Sequence, residues 1–282
     1  MLPVMSGFKS RFITSFQYPV IAAALLLLTA CLPEEKDDTN PINSLGDEVD
    51  DTSLALNGFW NGGLDQTETL RMLIYNGDVY GIDADKAFFG TLASPTVEEV
   101  DFDLSAFPLS YEDSANNEFV ADGNTTAYII NGLLATSTTI VGDFETDAGE
   151  YGSLTLTNDG SFANNSSLAN LAGKWTTTDL ELNITSLGNF HGVNNGVDQN
   201  CSFEGKIKLI NASDALMTIT LNRRRCDDFN GDSNGFAAIN EEGELEIYSK
   251  MGSSLLFMTF NPPAATTTST ETEEPTAEET SL

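Results

Sequence analysis

Apolar residues in the middle of the chain alternate with polar ones instead of recurring at helical spacing. Leu180, Leu182 and Ile184 occupy every second position, and so do Met217, Ile219 and Leu221. A period of two places successive side chains on opposite faces of a pleated strand, so each such segment has one apolar and one polar face. Turn residues separate these segments at short intervals. Asn76-Gly77 divides Leu70–Tyr75 from Val79–Ile82, Leu187-Gly188-Asn189 precedes Phe190, and Glu242-Gly243 precedes Leu245–Tyr248. These are hairpin signals. The body contains no amphipathic run long enough for a full helix, apart from a turn over Ser167–Ala172. The pattern predicts an all-β fold built of antiparallel strands.

The strands fall into two related series. Leu56-Asn57-Gly58-Phe59-Trp60 and Leu171-Ala172-Gly173-Lys174-Trp175 share the pattern L-x-G-x-W, and each opens a run of short strands. Further on, Phe88-Phe89-Gly90-Thr91-Leu92 corresponds to Phe203-Glu204-Gly205-Lys206-Ile207. We read two copies of one β module, residues 53–160 and 168–263, the first with a longer insert around Ser94–Thr125. The Asn- and Ser-rich stretch Asn158–Asn170 joins them. Each module has room for about eight strands, and a meander of that size can close on itself and remove its edges. The expected architecture is two tandem up-and-down β-barrels, with a sandwich or half-open sheet as the alternative. The G-x-W opening resembles the first motif of lipocalin and related calycin barrels, which implies that Trp60 and Trp175 pack across the closed end of each barrel. As residues of a sandwich they would be ordinary core. The alternating Leu, Ile, Met and Phe argue for filled interiors.

The first thirty residues read as a targeting segment. Lys9 and Arg11 form a positive start, and Val20–Ala30 is an apolar stretch too short to span a membrane stably. Leu28-Thr29-Ala30-Cys31 resembles the lipobox of bacterial lipoproteins. The resemblance implies that residues 1–30 are a cleaved signal peptide and that Cys31 carries acyl chains, palmitate among them. Several chains together give stable anchoring where one holds marginally. Leu32 rather than Asp follows the cysteine, which by the same resemblance implies sorting to the outer membrane of a Gram-negative cell, in either leaflet. Residues 31–52 are expected to form an acidic tether and 264–282 an acidic tail, both too poor in apolar residues to offset the entropy of ordering. The tandem arrangement resembles proteobacterial lipoproteins.

Charge narrows the partners. With 43 acidic and 12 basic residues the net charge is −31, and loss of Lys9 and Arg11 with the signal makes the mature chain more acidic still. Nucleic acid is therefore excluded as a partner, and cations, basic proteins or a saline habitat suit the surface.

Candidate chemistry is sparse. His191 is the one histidine, follows Phe190 near a turn, and has no cysteine or serine motif beside it. No G-x-S-x-G, H-E-x-x-H or phosphate-binding glycine loop occurs. Asp228, Asn230 and Asp232 stand at alternate positions, as oxygen ligands do when a loop wraps calcium. The EF-hand pattern nevertheless fails at Ser233 and Ile239, and an Asn/Asp/Gly hairpin loop without metal accounts for the segment. Arg223-Arg224-Arg225 could seat a carboxylate or phosphate, or form exposed ion pairs with Asp227 and Asp228. Cys201 and Cys226 are expected to form a disulfide, because export places them in an oxidising compartment and Cys31 is committed to lipid. Strand parity puts Cys226 on the wrong face, so the bond demands a bulge or strand end between Asn222 and Cys226. These features point away from an enzyme and from a bound cofactor. They favour a membrane-anchored binding or scaffolding module for an envelope protein or polysaccharide, with a small-ligand carrier and a polysaccharide hydrolase as alternatives.

Overall fold

The computed structural model describes residues 56–113, 118–196, 200–226 and 229–264. The signal segment, Cys31, the tether, the tail beyond 264, Asp227 and Asp228 lie outside the described residues.

Among the described residues seventeen strands follow one another with short connections. In the first half these are β1 (Gly58–Leu64), β2 (Leu70–Tyr75), β3 (Asp78–Ile82), β4 (Lys86–Ala93), β5 (Glu99–Asp113), β6 (Glu118–Ala121), β7 (Thr126–Thr136), β8 (Thr139–Thr146) and β9 (Tyr151–Asn158). A 3₁₀ turn (Ser161–Ala163) and one helical turn, α1 (Leu168–Leu171), lead to the second half. There follow β10 (Gly173–Thr176), β11 (Leu180–Ile184), β12 (Asn189–Asn194), β13 (Ser202–Leu209), β14 (Met217–Arg224), β15 (Gly231–Ile239), β16 (Leu245–Met251) and β17 (Ser254–Phe260). The hairpin signals lie where the turns form. Asn76 and Gly77 take φ of 51° and 84° between β2 and β3, the left-handed pair that a two-residue hairpin requires.

Eight strands close the first barrel. β1 pairs antiparallel with both β2 and β9, and β5 passes directly to β7, with Phe102 opposite Ile130. The second barrel runs from β10 to β17 in sequence order. Its ends meet where Thr176 and Asn261 exchange backbone hydrogen bonds of 3.2 and 2.8 Å. Both interiors are filled with side chains. Trp60, Met72, Phe88, Phe102, Ile130 and Phe144 pack inside the first barrel. Trp175, Leu182, Phe203, Ile219, Ile247 and Phe260 pack inside the second. The repeated L-x-G-x-W has one physical role in both copies. Trp60 Nε1 donates to the Leu56 carbonyl (3.1 Å) and Trp175 Nε1 to that of Leu171 (2.7 Å), so each buried indole is satisfied by the chain that enters its barrel. The glycines between them sit at φ of 154° and 144°, where a Cβ would strike Asn158 and Pro263 respectively.

The insert of the first module crosses to the second barrel. β6 pairs with the end of β5 on one side and with β17 on the other, Val120 opposite Leu256 and Glu118 opposite Met258. Val120 thereby joins the core of the second barrel. The outer faces of the two barrels share a third apolar cluster, in which Phe59, Leu73, Ala87 and Phe107 meet Leu216, Ala238, Tyr248, Leu255 and Phe257. A polar network lies beside it. The Arg71 guanidinium contacts Asp159 at 2.6 Å and Glu246 at 3.0 Å and lies over the Phe59 ring, while the Tyr248 hydroxyl donates to Glu246 at 2.7 Å. Burial opposes the Arg71 charge, but Tyr248, Glu246 and Asp159 outweigh it and raise the pKa.

This junction should be sensitive to alkali. Burial pushes the Tyr80 phenol up to about 12, with Asp78 adding to the effect. Burial raises Tyr248 well above its ordinary value, with Glu246 adding, and Tyr75 moves the same way. Folded-state values above the unfolded value of about 10 mean that this stability is fully present below that pH and is lost as pH climbs through the folded values. Urea midpoints should therefore fall between about pH 9 and about pH 11, and Tyr248→Phe should make the decline shallower.

Candidate functional site

The disulfide forms. Cys201 and Cys226 are joined across 25 residues, both nearly inaccessible. The parity problem is resolved by a strand end: β14 stops at Arg224, and Arg225 turns left-handed at φ 60°, which frees Cys226 to turn back toward Cys201. The three arginines then separate. Arg223 continues the inward row of Met217, Ile219 and Leu221 and is buried, whereas Arg224 and Arg225 face solvent. Exposed ion pairing by all three therefore does not hold.

Arg223 does seat a carboxylate, and it is the chain's own. Its Nη2 lies 2.6 Å from Glu118 Oε1, with the two side chains 3% and 4% exposed. Nε and Nη2 also approach the sulfurs of Cys226 and Cys201 at 3.4 Å each. Nη1 is buried without a hydrogen-bond partner among the described residues. A residue from the insert of the first module thus neutralises the cation at the disulfide end of the second barrel.

On the outer wall of that barrel a polar ladder crosses six strands. Lys174, Asn183, His191, Glu204, Asn222 and Asp232 follow one another in register from β10 to β15. Arg224 Nε donates to Asn222 Oδ1 at 2.7 Å, and Asn222 donates to Asp232. Lys174 pairs with Glu181 and, through that hydrogen bond, lowers its pKa, with Asn183 contributing next. An open hollow of about 560 Å³ lies over Glu204, Thr220, Asn222, Arg224, Asp232 and Asn234. His191 stands exposed in this row, beside Glu204, with no serine or cysteine in register with it. The ladder can bind by hydrogen bonds and charge.

Of the three calcium candidates, Asp228 lies outside the described residues, and the other two are engaged elsewhere in the hairpin. Asn230 closes the turn after the disulfide, its Oδ1 accepting the Cys226 N–H at 2.8 Å. Asp232 is a strand residue of β15, engaged with Asn222. Among the described residues no group of three or more His, Cys, Asp and Glu is placed to hold a metal ion.

No family model matches the chain, and no curated protein matches it. Among solved structures it is similar to transferrin binding protein B from Haemophilus parasuis Hp5, a vaccine antigen solved as a double mutant, at 11% identity and a TM-score of 0.25, covering 69% of this chain and 60% of that one. Intact Ap-TbpB, with N and C lobes, gives 10% identity and a TM-score of 0.22, with 68% and 60% covered. The chain thus spans about 60% of the length of these structures.

A smaller hollow of about 310 Å³ lies where the connection between the halves meets the second barrel. Leu171, Trp175, Met217 and Ile239 line its apolar side, and Asn165, Ser167 and Asn240 are among the polar residues around it. No helix among the described residues is long and apolar enough to cross a membrane.

Proposed function

We propose that the chain is an envelope lipoprotein, held to the outer membrane through Cys31, whose two-barrel body binds or scaffolds a partner on its outer walls. The observation that carries this is the pair of filled interiors. Trp60 and Phe102 in one barrel, and Trp175 and Phe203 in the other, occupy space that a carrier of this fold would leave to its ligand. The shared cluster and the Arg71 and Arg223 ion pairs join the halves, so the walls are presented in a fixed relation. An acidic tether would give that body reach from the membrane.

Site-specific photo-crosslinking on whole cells tests the reading. Photoreactive residues on the outer walls should capture a defined partner, and failure at every wall position would overturn it. For the anchor, Cys31→Ser should accumulate as an unprocessed precursor. A mutant protein cut at the same place and still partitioning with membranes would contradict lipidation.

The 310 Å³ hollow favours a second reading, a small-ligand site, since it reaches the lower end of the size range for such pockets, about 300 Å³. A thermal-shift screen of small amphipathic compounds separates the two. A carrier gains stability with ligand concentration, whereas a protein-binding scaffold does not respond.

A further inference from the structure

We propose that the outer wall of the first barrel over β5, β7, β8 and β9 is the docking surface for a basic protein whose lysines and arginines surround an apolar patch. The proposal rests on the reading that the body binds a partner, and it names the face and the partner's chemistry.

Position comes first. The outer faces of β1 to β4 are covered by the second barrel, through Phe59, Leu73, Tyr80 and Ala87. The end of β5 joins that contact through Phe107, whereas the start of β5, Glu99–Ser105, and β7 to β9 contribute no residue to the shared cluster. Their outward side chains include four large apolar groups in solvent: Ile129 at 57% exposure, Leu133 at 54%, Val141 at 37% and Tyr151 at 71%. They are grouped. Leu133 stands directly opposite Val141, Ile129 is two residues along the same strand, and Tyr151 is separated from Ile129 only by Glu145. Single exposed apolar residues are ordinary, but a group on one wall marks an interaction surface.

Charge identifies the occupant. The outward positions between and around the apolar groups are Glu99, Asp101, Asp103, Asp143 and Glu145. Asp103 and Glu145 flank Ile129 on both sides, and Asp101 and Asp143 flank Asn131 in the next row. Like charges this close repel one another, and a cationic partner relieves the repulsion. No cation on this wall can do so, because the sequence has no Lys or Arg between Lys86 and Lys174. The asymmetry extends across the body: residues 56–158 hold seventeen acids and two bases, while 159–264 hold thirteen acids and seven bases. Nucleic acid and anionic lipid are repelled by such a wall, and a neutral polysaccharide would use neither the charge nor the apolar groups.

The test uses the detergent-solubilised full chain and two synthetic peptides of equal positive charge, one alternating lysine with leucine and phenylalanine, the other alternating lysine with serine. The apolar-containing peptide should bind more tightly, and its affinity should fall with salt. The Ile129→Ser/Leu133→Ser variant should weaken it about tenfold while leaving the lysine-serine peptide unchanged. Asp101→Asn/Asp103→Asn/Asp143→Asn should weaken both peptides and flatten the salt dependence. Unchanged thermal transitions show that the variants fold. Equal binding of the two peptides, or affinities indifferent to these substitutions, would overturn the proposal. On whole cells, a photoreactive residue at position 133 or 141 should capture a protein through a lysine- or arginine-rich segment, and one at position 204 on the second barrel should not. Capture from 204 alone would refute this face while leaving a binding function intact. Capture from neither barrel would refute both.

Discussion

Glu118→Ala is expected to destabilise the body by about 3–5 kcal/mol, the cost of leaving a buried charge uncompensated. Arg223 is 3% exposed, and among the described residues its Nη1 has no partner and its remaining contacts are to the disulfide sulfurs, which accept hydrogen bonds weakly. Nothing among the described residues can replace the carboxylate. Urea unfolding of the non-lipidated mature chain measures the loss. A Glu118→Leu/Arg223→Met double variant should recover most of it, because exchanging a buried pair for apolar groups of similar volume is often neutral or stabilising. If Glu118→Ala costs less than about 1 kcal/mol, water reaches Arg223 and the site is not dry.

Removal of the disulfide is the second large effect. Closing 25 residues contributes about 3.5 kcal/mol by restriction of the unfolded chain. Cys201→Ser/Cys226→Ser should lose that amount, and it also takes from Arg223 the two sulfurs it contacts. The two losses should not add, since Glu118, Arg223 and the cystine form one contiguous group and neighbouring sites couple. A mixed variant carrying Glu118→Ala and both serines should therefore depart from the sum by more than about 0.5 kcal/mol. Mass spectrometry of the non-reduced protein should find the two cysteine peptides linked.

Much of the architecture was legible because its causes are local. The alternation in Leu180–Ile184 and Met217–Leu221, the turn residues at Asn76-Gly77 and Glu242-Gly243, and the repeated L-x-G-x-W each act within a few residues, and each appears in the structure as a strand, a turn or a satisfied tryptophan. The bulge or strand end demanded by the parity of Cys226 is present as the left-handed Arg225. Arg223 could also have been found by parity, because it shares the inward face of Met217, Ile219 and Leu221. Treating the three arginines as one cluster concealed that. The pairing of β6 with β17, and of Glu118 with Arg223, left no local trace. Strand register between segments more than a hundred residues apart depends on which edge a barrel leaves unpaired, and the seam beside β17 is visible only once the second barrel is built. The ladder of Lys174 to Asp232 is hidden for the same reason, since each member comes from a different strand.

The central claim is that the halves form one body because the insert of the first completes the wall of the second. Separate expression of residues 53–160 and 168–263, followed by circular dichroism and urea unfolding of each alone and of the mixture, tests it directly. The account predicts that 168–263, deprived of β6 and of Glu118, unfolds without a cooperative transition and regains one when 53–160 is added. Two pieces that each unfold sharply as β proteins, with midpoints unaffected by mixing, would contradict it.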